Sequence, residues 1–121
     1  MTGLTRQQAA KAVARLFGTE ARHMRGSYDP WEVPDREGKT WRFVYDSSIK
    51  AFGREDGRLR ATDDGLYHVE MNSPKLEYSE MGKLQEVVRT LRRAGAVVNE
   101  SCGMHYGKKN VMLSHSAFLA V

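Results

Sequence analysis

Apolar side chains along this chain form two helical stripes, with a stretch of short, turn-broken segments between them. In the first stripe Ala9, Val13, Leu16 and Phe17 recur at helical spacing, while Arg6, Lys11 and Arg15 fall largely outside it. Thr5 opens this helix, Gln8 stands where a capping box requires it, and Gly18 ends it. The basic face either touches phosphate or is hydrated, and hydration is the plainer expectation.

From residue 21 to residue 73 the texture is β-like. The pattern predicts strands over Arg22–Arg25, Trp31–Val33, Thr40–Tyr45, Ile49–Phe52 and Leu66–Met71. Turn chemistry separates them, at Tyr28-Asp29-Pro30, Pro34 to Gly38, Arg54 to Gly57 and Asp63-Asp64-Gly65. Strands joined by such short connections pair most simply as antiparallel neighbours. Trp41, Phe43 and Tyr45 alternate with Arg42 and Val44, so the three aromatics share one sheet face and are expected in the core. Stacking on nucleic-acid bases is the sharper alternative, but no known binding motif surrounds them.

Pro74 stops the last of these strands, and a second helix is expected from about Ser79 to Ala94. Met81, Leu84, Val87, Val88 and Leu91 make its apolar stripe, with Lys83, Arg89, Arg92 and Arg93 mainly off it. Basic residues at its end complement the helix dipole, and Gly95 suits the position after the helix. Beyond it the reading is a strand over Ala96–Val98, a glycine-flanked loop over Cys102–Gly107 and a last strand over Val111–Leu113. The apolar end, Ser116–Val121, either docks or frays. The economical architecture is α+β: an antiparallel β-sheet with two amphipathic helices packed on it, in one domain over residues 1–121.

Composition narrows the classes. A chain of 121 residues has room for one hydrophobic core and not two. Its 40% hydrophobic and 28% charged content is that of a globular protein. No apolar run approaches the roughly 18 residues of a spanning helix, and no signal-peptide core is present, so a cytoplasmic protein without a membrane role is expected. The single cysteine, Cys102, has no internal disulfide partner. His23, His68, His105 and His115 lack ligand-pair spacing, which excludes a zinc finger. A net charge of +4 favours polyanions only mildly.

Three clusters exceed what a generic domain of this class needs: Trp41 to Ile49, Val69 to Pro74, and Val98 to His105. Read plainly, Asp46 and Ser48 shape a turn, Ser73-Pro74 ends a strand, and Asn99 to Gly103 is a tight loop. Together they carry Asp46-x-Ser48 after an aromatic strand, Glu70-x-x-Ser73-Pro74 ending another, and Asn99-x-Ser101-Cys102-Gly103-x-His105 after the second helix. With Gly3-x-Thr5-Arg6 before an Ala-rich stretch, this order resembles the amidoligase family of phages and mobile elements. That family belongs to the carboxylate–amine ligases with glutamine synthetase-like sheets. The resemblance runs from about Gly3 to His105.

The resemblance implies ATP-dependent amide formation, in which a carboxylate is phosphorylated and an amine displaces the phosphate. Such a site needs carboxylates to hold Mg²⁺ and cationic or imidazole groups to neutralise the transferring phosphoryl. It assigns Glu70 as a magnesium ligand, His105 as a phosphate or metal contact, and Asp46 and Ser48 as substrate-orienting groups. No thiol nucleophile is required, which leaves Cys102 outside the chemistry. Three departures shape the expectation. The family's Phe-Gly-x-Glu-x-Glu strand would precede Met1, Gly107 stands where a second histidine is usual, and the family's downstream half would follow.

The leading expectation is therefore a non-catalytic, amidoligase-derived binding protein that needs no cofactor and docks on a protein partner. The family's association with phages and mobile elements makes an inhibitor of a host nucleoprotein defence complex, anti-CRISPR-like, the specific version. The second expectation is a ligase using Mg-ATP, completed by a second copy or subunit. A homo-oligomer through an exposed sheet edge belongs with either. The third is a nucleic-acid-binding module using Arg58, Arg60, Arg89, Arg92, Arg93, Lys108 and Lys109.

Overall fold

A computed structural model describes residues 1–99, together with the backbone of Met104–Tyr106 and Val111–Leu113. The expected end at Ser116–Val121, the Asn99-to-Gly103 loop beyond Asn99, and the side chains of Cys102, His105, Lys108 and Lys109 lie outside the described residues.

Helix α1 spans Arg6–Phe17. Its start is the expected capping box: Gln8 N donates to Thr5 Oγ1 at 3.2 Å, and Thr5 N donates to Gln8 Oε1 at 2.9 Å. Gly18, at φ 72°, closes it by donating to the Ala14 and Arg15 carbonyls. Helix α2 spans Met81–Arg93 and is preceded by a 3₁₀ turn, Tyr78–Glu80. Ala9, Val13 and Phe17 of α1 join Leu84, Val87, Val88 and Leu91 of α2 in one buried cluster.

Strands β1 (Arg22–His23), β2 (Trp31–Pro34), β3 (Thr40–Val44) and β6 (Glu70–Asn72) pair antiparallel in that order. Strands β7 (Met104–Tyr106) and β8 (Val111–Leu113) complete the six-stranded sheet. One pairing departs from the antiparallel expectation: β7 lies parallel to β6. The reason is topological, since α2 separates the two strands and a helical crossover returns the chain in the same direction. The α+β architecture stands, with two helices on one face of the sheet.

Strand pairing sets that face. Trp31, Phe43 and Met71 stand in one cross-strand row, and Val33 pairs with Trp41 in the next. Trp41, Phe43, Val33 and Met71 are fully buried against the helices. Truncating such an aromatic costs about 3–5 kcal/mol. Tyr45 lies just past the end of β3 and is only half-buried, so the third aromatic belongs to the margin of the core.

The other differences are local. Strands β4 (Phe52–Glu55) and β5 (Arg58–Ala61) form a separate hairpin turned at Asp56-Gly57. The sequence pattern predicts a strand ending at Phe52 and a turn over Arg54–Gly57; β5 leaves no trace in it, being exposed throughout and without apolar alternation. Leu66 and Tyr67 belong to a 3₁₀ turn, Gly65–Tyr67, capped by Asp64, which shortens the expected strand to β6. Ala96–Val98 reduces to a single bridge between Val97 and Thr2, and part of the expected Cys102–Gly107 loop is β7. Met1 is buried, its ammonium donating to the Val69 carbonyl at 2.7 Å. Gly3 follows at φ 85°, with its N–H on the Phe52 carbonyl.

Candidate functional site

Both described helices cover one face of the sheet, and among the described residues no helix covers the other. Alternation places Arg22, Glu32, Arg42 and Asn72 there in one cross-strand row. The backbone of His105 continues the row beside Asn72, and Met112 follows it. Glu70, two residues before Asn72, shares this face opposite Val44 and is half-buried. Strand register thus brings Glu70 and the backbone of His105 onto neighbouring strands.

The acids nearby are engaged within the chain. Glu32 sits between two arginines, with Arg22 at 3.3 Å on one oxygen and Arg42 at 3.6 Å on the other. Asp46 Oδ1 accepts from Ser48 N at 2.9 Å and from Ser48 Oγ at 2.6 Å. These two residues therefore build their own turn, two positions past the end of β3. Among the described residues no group of three or more His, Cys, Asp or Glu is placed to hold a metal ion.

Beside this face lies a network that sequence reasoning missed. Arg6, expected on a hydrated surface, is 2% exposed. Its Nε donates to the Asp29 carbonyl at 3.0 Å, and one terminal nitrogen donates to the carbonyls of Gly65 at 2.8 Å and His68 at 2.9 Å. Its other terminal nitrogen is 3.8 Å from Asp29 Oδ2, and its guanidinium lies 5.7 Å from the centroid of the Tyr45 ring. Burial pulls its pKa below the ordinary value, opposed by Asp29, Tyr45 and Asp64. A signal was present in the sequence: a cation in the first helical turn opposes the macrodipole and needs another reason to be there.

The network fixes the 24–30 loop, in which Tyr28 and Asp29 both hold positive φ, 67° and 54°. Tyr28 stacks on Tyr45 with ring centroids 4.6 Å apart. Asp29 Oδ1 accepts from the Trp31 indole at 3.2 Å and meets His23 Nε2 at 2.6 Å. Met24 N donates to the Pro30 carbonyl, closing the loop at its base. Loop and sheet together enclose an open cleft of about 250 Å³, lined by Met24, Arg25, Pro30, Trp31, Glu32, Arg42 and Val44.

A family model described as "Putative amidoligase enzyme" matches residues 1–115. The chain belongs to the amidoligase family. No curated protein and no solved structure matches it. In this amidoligase-family chain the helix-free sheet face carries Glu70, while Asp46 and Ser48 stand at its margin in a turn. The expected basic surface divides between the β4–β5 hairpin and α2. Arg58 and Arg60 are exposed on β5, with Arg60 3.2 Å from Glu55. Arg92 and Arg93 end α2, and Arg89 is half-buried one turn earlier. Arg54 donates to the Gly95 carbonyl at 2.9 Å and so holds the hairpin beside the end of α2. No described helix is long and apolar enough to cross a membrane.

Proposed function

We propose that this chain is a non-catalytic member of the amidoligase family that works by docking on a protein partner. One observation carries the reading: Asp46 and Ser48, the pair assigned to orient substrate, bond to each other. The second acid of the helix-free face, Glu32, is likewise held by Arg22 and Arg42. Mg²⁺ prefers a near-octahedral set of oxygens, and carboxylates already committed to internal partners coordinate it poorly. In this reading no cofactor is needed, and the sheet face is a rigid binding surface. The partner proposed is a host nucleoprotein defence complex met in the cytoplasm, which the chain would inhibit in the manner of an anti-CRISPR protein.

The test is capture of host proteins on the immobilised chain, with the recovered complex then rebuilt from purified components. A stoichiometric complex that survives reconstitution supports the docking role. Recovery of no stoichiometric partner contradicts it.

A second reading has its own observation. Glu70 shares the helix-free face with Asn72, at whose side the backbone of His105 runs. As a ligase, the chain would offer Glu70 to the magnesium of Mg-ATP and take its remaining oxygen ligands from a second copy or subunit. The strand order ends at β1 and β8, and β1, exposed at both residues, is where a second copy would pair.

A further inference from the structure

We propose that the cleft between the 24–30 loop and strands β2 and β3 is a socket for the carboxylate of an apolar C-terminal residue on a partner chain. This deepens the docking reading and rests on it for the source of that carboxylate. Size limits the occupant first. About 250 Å³ falls below the roughly 300–1,000 Å³ of sites that enclose drug-sized ligands. The cleft has room for one side chain with its carboxylate.

Its chemistry limits the occupant further. Met24, Pro30 and Val44 supply apolar wall, and Met24 is 37% exposed, so apolar area remains to be covered. Two cations border that wall. Arg25 is exposed and has no hydrogen-bond or ion-pair partner among the described residues. Arg42 meets Glu32 through Nε, which leaves the terminal nitrogens of its fork for a second carboxylate. The negative charge of Glu32 does not oppose an incoming anion, because Arg22 holds its other oxygen at 3.3 Å. Apolar wall beside unspent arginine is the chemistry that recognises a carboxylate next to a hydrocarbon side chain.

The wall is also built to stay in place. Two adjacent non-glycine residues at positive φ cost on the order of 1–3 kcal/mol each, and such strain persists only where the surroundings over-determine it. Here Arg6 holds the Asp29 carbonyl, Tyr45 stacks on Tyr28, and Trp31 and His23 hold the Asp29 carboxylate. A wall fixed before binding loses little conformational freedom on binding.

The experiment is an NMR titration of the full ¹⁵N-labelled chain with N-acetyl-leucine, N-acetyl-leucinamide and hexanoate, repeated on Arg25→Gln. The expected result is saturable shifts in the 24–30 loop, Glu32 and Arg42 with N-acetyl-leucine, much weaker binding of the amide, and a loss of about tenfold or more in Arg25→Gln. Arg25 is exposed, so the variant keeps its fold and the loss reports on binding. Equal binding of acid and amide, no saturable shifts, or no effect of Arg25→Gln overturns the socket. Hexanoate binding as tightly as the N-acetyl amino acid assigns the site to a free organic acid and overturns the partner terminus. None of these results touches the docking reading, which stands or falls on the reconstituted complex.

Discussion

Arg6 and Asp29, 23 residues apart, are joined through the Arg6 Nε–H and the Asp29 carbonyl at 3.0 Å. The bond ties the first residue of α1 to a loop residue held at φ 54°. The same side chain reaches the carbonyls of Gly65 and His68, so one guanidinium fastens two backbone segments, the 24–30 loop and the Gly65–His68 turn, to the start of α1.

Removing that guanidinium takes the donor from the half-buried carbonyls of Asp29 and His68, at about 1–3 kcal/mol each, while the Gly65 carbonyl keeps the N–H of His68. Arg6→Ala is expected to lower unfolding stability in urea by about 3 kcal/mol or more. Arg6→Lys keeps the charge but lacks the planar fork, and is expected to cost about 2 kcal/mol. A change of less than about 0.5 kcal/mol in Arg6→Ala would mark a surface residue and contradict the network.

Asp35 gives the stability its acid limb. It is buried, and burial alone pushes its carboxyl up. Hydrogen bonds from Lys83, Trp41, Lys39 and Glu37 outweigh that push and hold it below its ordinary value. The unfolded chain therefore takes up this proton more readily than the folded one. The contribution is complete above the unfolded pKa of about 3.9 and is lost as pH falls through the lower folded value. Asp35→Asn is expected to be less stable at pH 7 and to show a flatter decline below about pH 4. An unchanged acid limb in urea titrations across that range would contradict the assignment.

Two glycines are expected to respond in opposite directions. A Cβ on Gly3, at φ 85°, would stand 2.7 Å from the Gly95 carbonyl oxygen, and backbone on both sides has little room to move. Gly3→Ala is expected to cost about 2 kcal/mol or more. Gly82, in the first turn of α2, faces open space, and Gly82→Ala is expected to stabilise by about 0.5–1 kcal/mol. Paired thermal melts read both, and equal shifts of one sign would contradict the packing at Gly3.

Much of this fold was legible because local physics decided it. The Thr5–Gln8 cap, the αL glycine at position 18 and the two apolar stripes need only neighbouring residues to be read. The Trp41–Phe43 alternation reached the core for the same reason. What escaped reading depends on contacts distant along the chain. The burial of Arg6 follows from three carbonyls supplied by residues 23 to 62 positions away. The parallel pairing of β6 with β7 follows from where α2 lands, and β5 has no buried side to leave a period. Of the candidate site, the turn character of Asp46 and Ser48 was readable from their spacing. The row from Arg22 to Asn72 required strand register, and the cleft required the 24–30 loop to fold back.

The most direct measurement is calorimetric titration of the purified chain, without other proteins, with Mg-ATP. The account predicts no saturable heat, with Glu70→Ala indistinguishable from the parent chain. Saturable binding that disappears in Glu70→Ala, accompanied by turnover of ATP when an acid and an amine are supplied, would contradict it.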